Sequence, residues 1–296
     1  MFKKAYIFSL ILIFITITGC GGGGGSSSDS TSPSSSDSMP SPPQPTQSTP
    51  APPQPTQSTP STSYPLPDKY CALTFDDGPD NTQTAKVLEK LEKHGIKVTF
   101  MWVGENITDY NKEVIDRIVI QGHEIGNHSW SYDDMSLMTS AQITESITKT
   151  TNAIRQYTGQ EPKFFRAPYL NVSDTLYETV PYPFISAGAI SKDWSALLGG
   201  AATAQERADN VINSMEDGTI ILMHDIQSDP NNSTPEALDI IIPNLLAKGY
   251  AFVTVSELFK QKGITPQAGQ KTQWTVVKPP ISATDVPRQH PPGFKT

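Results

Sequence analysis

Cysteine is almost missing from this sequence: Cys20 and Cys71 are the only two in 296 residues. Two thiols exclude a disulfide-dense scaffold, so a stable domain must rest on a hydrophobic core, which about 200 residues can supply. Positive charge is also scarce. Lys and Arg total 22 against 30 Asp and Glu, for a net charge of −8, and no basic cluster follows Lys3-Lys4. A nucleic-acid surface or an anionic-membrane patch is therefore excluded, whereas an uncharged partner is not. Long apolar runs are missing too, save Ala5 to Ile17, which is too short to span a bilayer comfortably.

What is present divides the chain into segments of unlike composition. Met1-Phe2-Lys3-Lys4 gives the apolar run a positive start and Ile17-Thr18-Gly19-Cys20 ends it, so the whole reads as a secretory signal. The last four residues resemble a lipoprotein box, in which the cysteine is lipidated and becomes the mature N-terminus. Residues 1–19 are then a signal peptide, and Cys20 holds an exported bacterial lipoprotein to a membrane, at the cell surface or in the periplasm. An ordinary signal peptide or an uncleaved anchor helix are the alternatives. With Cys20 lipidated, Cys71 has no intramolecular partner; its apolar neighbours point to a buried, inert thiol.

Residues 20–68 form a tether. Gly21 to Gly25 opens it, and the decapeptide Ser41 to Pro50 recurs nearly unchanged through Pro60. Such composition cannot bury enough apolar surface to offset chain entropy, and its Pro-rich half should run semi-extended at about 3.1 Å per residue. From Lys69 short apolar runs alternate with amphipathic stretches, the pattern of repeated βα units. Strands are expected at Tyr70–Phe75, Ile96–Val103, His123–Asn127, Phe164–Arg166, Phe184–Ala187, Thr219–His224 and Phe252–Thr254. Helices are expected at 84–94 with Gly95 as the stop, 113–121, from a Ser140 cap to about 157, 175–179, 205–214, from Pro235 to Gly249, and from a Ser256 cap to about 262. The fold class is α/β, with a parallel sheet either open or closed as a barrel. Residues 69–264 make the domain; residues 265–296 are a tail of open role with one possible strand at Gln273–Val277.

In sheets built this way, functional groups collect where strands hand over to loops at the carboxyl edge. Asp76-Asp77-Gly78 follows the first strand, His128 the third, Arg166 closes the fourth, Asp193-Trp194 comes soon after another, and His224-Asp225 closes the Thr219 strand. Each has a bland explanation alone: an Asp pair before Gly-Pro makes turns, a lone His fills cores, an Arg pairs at surfaces, and Trp194 packs cores. Five such strand ends facing one edge argue for chemistry instead. The residues resemble the NodB-homology polysaccharide deacetylases, a carbohydrate esterase family with five short motifs in fixed order. Here they read Thr74-Phe75-Asp76-Asp77-Gly78, His128-Ser129-Trp130-Ser131-Tyr132, Arg166-Ala167-Pro168-Tyr169, Asp193-Trp194 and Leu222-Met223-His224-Asp225, within residues 69 to 262.

That resemblance implies a deformed (β/α) barrel and a division of labour. Asp77 and His128 would bind one divalent metal ion, cobalt, zinc or nickel; Asp76 would be the general base, oriented and kept ionised by Arg166; His224 would be the general acid, paired with Asp193. The backbone N–H of Tyr169 would meet the oxyanion, and Leu222 and Trp194 would wall the acetyl methyl. One position departs from the pattern: Tyr132 stands where a second metal-binding histidine is common, and a neutral phenol is a poor ligand. His123 does not replace it, lying roughly 17 Å from His128 at strand rise. Tyrosine there, with the segments Asn127 to Tyr132, Pro162 to Arg166 and Thr234 to Pro243, is similar to the bacterial acetylxylan esterase branch. The expected function is therefore hydrolysis of acetyl esters on acetylated xylan by a monomer. An N-deacetylase of chitin oligomers or peptidoglycan is the alternative, and a catalytically inactive carbohydrate-binding module the remote one.

Overall fold

The computed structural model describes residues 67–194, 199–227 and 233–279. The signal-like segment, Cys20, the repeats of the tether and residues 280–296 lie outside the described residues. The elements run β1 (Lys69–Asp76), α1 (Gln83–His94), β2 (Thr99–Trp102), α2 (Lys112–Ile120), β3 (Glu124–Asn127), α3 (Ser140–Thr158), α4 (Asp174–Thr179) and β4 (Phe184–Ile185). They continue β5 (Ala189–Ile190), α5 (Ala204–Ile212), β6 (Ile220–His224), α6 (Thr234–Ala247), β7 (Tyr250–Phe252), α7 (Val255–Gln261) and β8 (Gln273–Trp274). Among the described residues no helix is long and apolar enough to cross a membrane.

β1 is the central strand. Its residues from Cys71 onward are all buried, as a parallel strand covered on both faces must be. β6 pairs with it in parallel from Ala72, β7 pairs with Lys69 to Cys71, and β2 with Thr74 to Asp76. β3 extends the sheet beyond β2, and β5 beyond β6. On the far side closure is achieved by fragments. Phe165 bridges both Asn127 and Phe184, β4 pairs with β8, and Val276 bridges Thr219 at the mouth of β6. These contacts close the sheet into the deformed barrel, with helices packed around it.

Local signals explain most boundaries. α1 buries Thr84, Val87, Leu88 and Leu91 on one face and stops at Gly95, whose φ of 62° is the left-handed conformation glycine adopts without a Cβ clash. Burying each such aliphatic side chain contributes about 1.5–3 kcal/mol, so a helix of this length depends on the core behind it. Cys71 is buried, and burial together with the nearby Asp217 pushes its thiol far up, so the thiol is chemically quiet.

Several expected boundaries move. Thr139, not Ser140, caps α3, because its side chain and that of Gln142 exchange hydrogen bonds with each other's backbone in a capping box. Thr254, not Ser256, caps α7 by accepting from the Glu257 N–H. Pro235 is the second residue of α6, and Gly249 follows that helix one residue beyond Lys248. The strand expected at 164–166 shrinks to the Phe165 bridges, because it meets only the last residue of β3 and the first residue of β4. β5 was not foreseen; two residues carry too little pattern. The tail, by contrast, contributes β8 and Val276 to the sheet, so the folded unit runs past 264 to at least Val277.

Candidate active site

Parallel register brings distant residues level. Asp76, the last residue of β1, is paired with Met101 on one side and His224 on the other, while Trp102 is level with Asn127, one residue before His128. Beyond Asp76 the chain turns sharply: Asp77 has a φ of 84°. That left-handed turn sends consecutive carboxylates in different directions. The Asp77 N–H is held by the Met101 carbonyl at 3.2 Å, and its own carbonyl by the Asn106 side-chain amide at 2.8 Å.

Arg166 is completely buried and organises Asp76. Its Nη1 donates to Asp76 Oδ1 at 2.6 Å and to the Thr74 hydroxyl at 2.8 Å, while Nη2 donates to the Ser186 carbonyl at 2.8 Å. His128 is held by its other nitrogen: Nδ1 lies 2.8 Å from the Arg166 carbonyl. A carbonyl only accepts, so Nδ1 carries a proton, which leaves Nε2 as the ring nitrogen that could ligate a cation. That Nε2 faces Asp76 Oδ2 at 3.5 Å and Asp77 Oδ1 at 3.7 Å. Asp77 Oδ1 and His128 Nε2 are donors of the kind a divalent cation takes, and the second-nitrogen hydrogen bond is the usual way a ligating imidazole is oriented. Burial pushes the Asp77 carboxyl up, against the lowering influence of His224 and His128, a penalty that a bound cation would offset. Among the described residues no group of three or more His, Cys, Asp and Glu side chains is set out to hold a metal. Position 132 carries a phenol rather than an imidazole; the Tyr132 hydroxyl accepts from Asn106 at 3.2 Å and is pushed up by burial and by Asp77.

His224 and Asp193 form the second centre. Asp193 is fully buried; its Oδ1 meets His224 Nδ1 at 2.7 Å, and its Oδ2 accepts the His224 backbone N–H at 2.8 Å and the Thr234 hydroxyl at 2.9 Å. Burial alone would pull the imidazole down, but the charge and hydrogen bond of Asp193, aided by Asp77 and Asp76, outweigh it and hold His224 at about 10. For Asp193, burial acts upward and the same partner overcomes it, leaving the carboxyl below its ordinary value.

Asp76, Asp77, His128, Tyr132, Tyr169, Trp194, Leu222 and His224 all line one cleft of about 520 Å³, with Ile190 and Leu170 adding apolar wall. Arg166 and Asp193 stand behind it, so every residue given a part in the chemistry from the sequence of this domain is in the cleft or in contact with a residue that is. Tyr169 adopts a φ of 58° in the short turn Pro168–Leu170, a strained conformation for a non-glycine residue, and its hydroxyl donates to the Tyr132 carbonyl at 2.7 Å. His123 stays apart: it lines a different pocket, its Nδ1 accepts the Val98 N–H at 3.2 Å, and burial pulls it down to about 4.

Sequence reasoning passed over Thr74, Asn106, Ser186 and Asp225. Thr74 and Asp225 lie inside the motifs quoted above, whereas a lone Asn106 and a backbone carbonyl at Ser186 carry no signal of their own. Asp225 is fully buried, and burial pushes its carboxyl up to about 7 against the lowering hydrogen bond from Thr84.

The family profile described as polysaccharide deacetylase matches residues 63–181. A solved acetyl xylan esterase from Clostridium thermocellum, in complex with a cobalt ion, is 49% identical and superposes with a TM-score of 0.67 over 71% of this chain and 99% of that one. The chain belongs to the polysaccharide deacetylase family. It is thus a member of a family of hydrolases. Among curated deacetylase relatives, a bifunctional xylanase/deacetylase of Pseudobutyrivibrio xylanivorans is 42% identical over 71% of this chain and 33% of the relative. A peptidoglycan-N-acetylglucosamine deacetylase of Listeria monocytogenes is 34% identical over 71% of this chain and 43% of the relative. The chain therefore spans between a third and under half of the length of these first curated relatives.

Proposed function

We propose that this chain is a metal-dependent carbohydrate deacetylase that hydrolyses acetyl esters of acetylated xylan. The observation that carries the substrate assignment is the 49% identity to an acetyl xylan esterase across 99% of that chain; the xylanase/deacetylase relative supports it.

Hydrolysis of an acetyl ester needs a deprotonated water, a polarised carbonyl and a proton for the leaving oxygen. Asp76 acts as the general base. With Oδ1 taken by Arg166 at 2.6 Å, its Oδ2 is turned toward His128 and the cleft, where an attacking water can be deprotonated. Asp77 and His128 would hold a divalent cation, cobalt, zinc or nickel, which when bound supplies Lewis acidity toward water and the acyl oxygen. The Tyr169 N–H donates to the developing oxyanion from the turn in which its φ is 58°. His224 protonates the leaving oxygen from Nε2, since Nδ1 is committed to Asp193. Leu222, Trp194 and Ile190 form the apolar wall against which the acetyl methyl rests.

A second reading, amide hydrolysis on N-acetylglucosamine polymers, is favoured by the peptidoglycan deacetylase relative and by an imidazolium at His224 that carries a proton to hand to an amine leaving group. Acetate release by the purified full chain, with cobalt, zinc or nickel added, separates the two. Release from acetylated xylan supports the proposal; release only from chitin oligomers or peptidoglycan replaces it with the amide reading. No release from any substrate with any metal leaves an inactive carbohydrate-binding module. The proposal extends to location: a monomer, exported, lipidated at Cys20 and held off a bacterial membrane by residues 20–68, reaching a polymer that carries no charge.

A further inference from the structure

Asp225 follows His224 at the end of β6, is fully buried, and takes no part in the chemistry above. Its Oδ1 accepts the Gly78 backbone N–H at 3.0 Å, and its Oδ2 accepts the Thr84 hydroxyl at 2.5 Å. Thr84 in turn accepts the Asp80 backbone N–H at 2.9 Å. One carboxylate therefore gathers the turn after β1 and the start of α1 and ties both to β6.

That turn carries Asp77, whose φ of 84° a non-glycine residue holds only when its surroundings over-determine it. From the β2 side the turn is held by the Met101 carbonyl, by the Asn106 amide, and by the Val103 N–H donating to the Gly78 carbonyl at 3.1 Å. From the β6 side Asp225 holds it, with its own N–H also donating to the Asp76 carbonyl at 3.3 Å. A Cβ on Gly78 would sit 2.2 Å from Asp225 Oδ2. The carboxylate thus occupies the volume a side chain at residue 78 would need, and glycine there is the partner that lets it reach the backbone. A buried carboxylate is an expensive way to fill space, and one that satisfies a donor on a strained turn and another in the helix that follows has a positional role.

We propose that Asp225 is a positioning residue that clamps the Asp77-Gly78 turn to the strand bearing His224 and so keeps Asp77 Oδ1 opposite His128 Nε2, ready to hold a divalent cation. This rests on the reading of Asp77 as a cation ligand. The clamp also couples the two halves of the site, since the strand that supplies the acid is the strand that steadies the ligand.

The test is cobalt affinity, measured by titration calorimetry on the metal-stripped full chain, beside melting temperature and acetate release. Asp77→Ala should lose cobalt binding. Asp225→Ala should weaken it by about 10–100-fold, the usual loss when a ligand's orienting partner is removed. Asp225→Asn should be partly rescued, because its amide oxygen still accepts the Gly78 N–H, and Thr84→Val should fall between wild type and Asp225→Ala. Ile241→Val, in the core away from the cleft, should lower the melting temperature and leave cobalt affinity alone. Cobalt affinity in Asp225→Ala within about twofold of wild type, with binding lost in Asp77→Ala, overturns the clamp. If Asp225→Ala does not fold, wild-type affinity in both Asp225→Asn and Thr84→Val overturns it equally. Wild-type binding in Asp77→Ala removes the ligand reading and the clamp with it.

Discussion

The His224 imidazole owes its basicity chiefly to one neighbour. Burial works against the charged ring, and the Asp193 carboxylate at 2.7 Å reverses that, so the ring stays protonated up to about pH 10. In Asp193→Asn the charge is gone while the burial remains, and the imidazole loses its proton at lower pH. The alkaline limb of kcat should then move down by more than about one unit, which a pH–rate profile reads directly; an unmoved limb would count against His224 as the acid. Tyr132 offers a second test. Its hydroxyl shares Asn106 with the Asp77 carbonyl, so the side chain already stands beside the cation ligands. Tyr132→His should tighten cobalt binding by at least about tenfold, worth 1.4 kcal/mol, and an unchanged Kd would show that residue 132 does not face the cation. At this scale the sequence was highly legible, because Asp, His and Arg at successive strand ends carry their chemistry in their identity. Asn106 and Ser186 were not, since an amide and a carbonyl become informative only when a partner is seen at 2.8 Å.

Elements were legible where they are long. α1, α2 and α3 were placed to within a residue or two by apolar periodicity and glycine stops, whereas caps competed among neighbouring hydroxyls and only geometry selected Thr139 and Thr254. Thr139→Ala breaks the α3 capping box and should cost about 1 kcal/mol, seen as a melting temperature lower by roughly 2–4 °C, with activity retained because α3 lies outside the cleft. β8 is the more consequential element. The Ser186 N–H donates to the Trp274 carbonyl at 2.8 Å, and the Ser186 carbonyl receives Arg166, which holds Asp76. Trp274 also stacks edge-on against Phe259, itself stacked on Phe164. A chain ending at residue 264 should therefore melt at lower temperature and lose acetate release out of proportion to the folded fraction, while a chain ending at residue 279 keeps both.

The whole molecule is a tethered domain in the proposed reading, and the tether can be tested without reference to the chemistry. Cys20→Ser should abolish incorporation of labelled fatty acid and move the protein from the detergent phase to the aqueous phase, with acetate release per molecule unchanged. Retained labelling would place the lipid elsewhere. By itself the sequence determined which side chains are available, the order of the βα units that carry them, and where composition changes along the chain. Those depend on residue identity and on local periodicity, which need no folded chain. Closure of the barrel by single-residue bridges, entry of the tail as β8, the level pairing of Asp76 with His224, and the reach of Asp225 to Gly78 across 147 residues were decided only in three dimensions. Each is a long-range contact between short segments. Its energy comes from register and packing against partners far along the chain, and a two-residue strand or a lone carboxylate leaves no period from which that partner could be read.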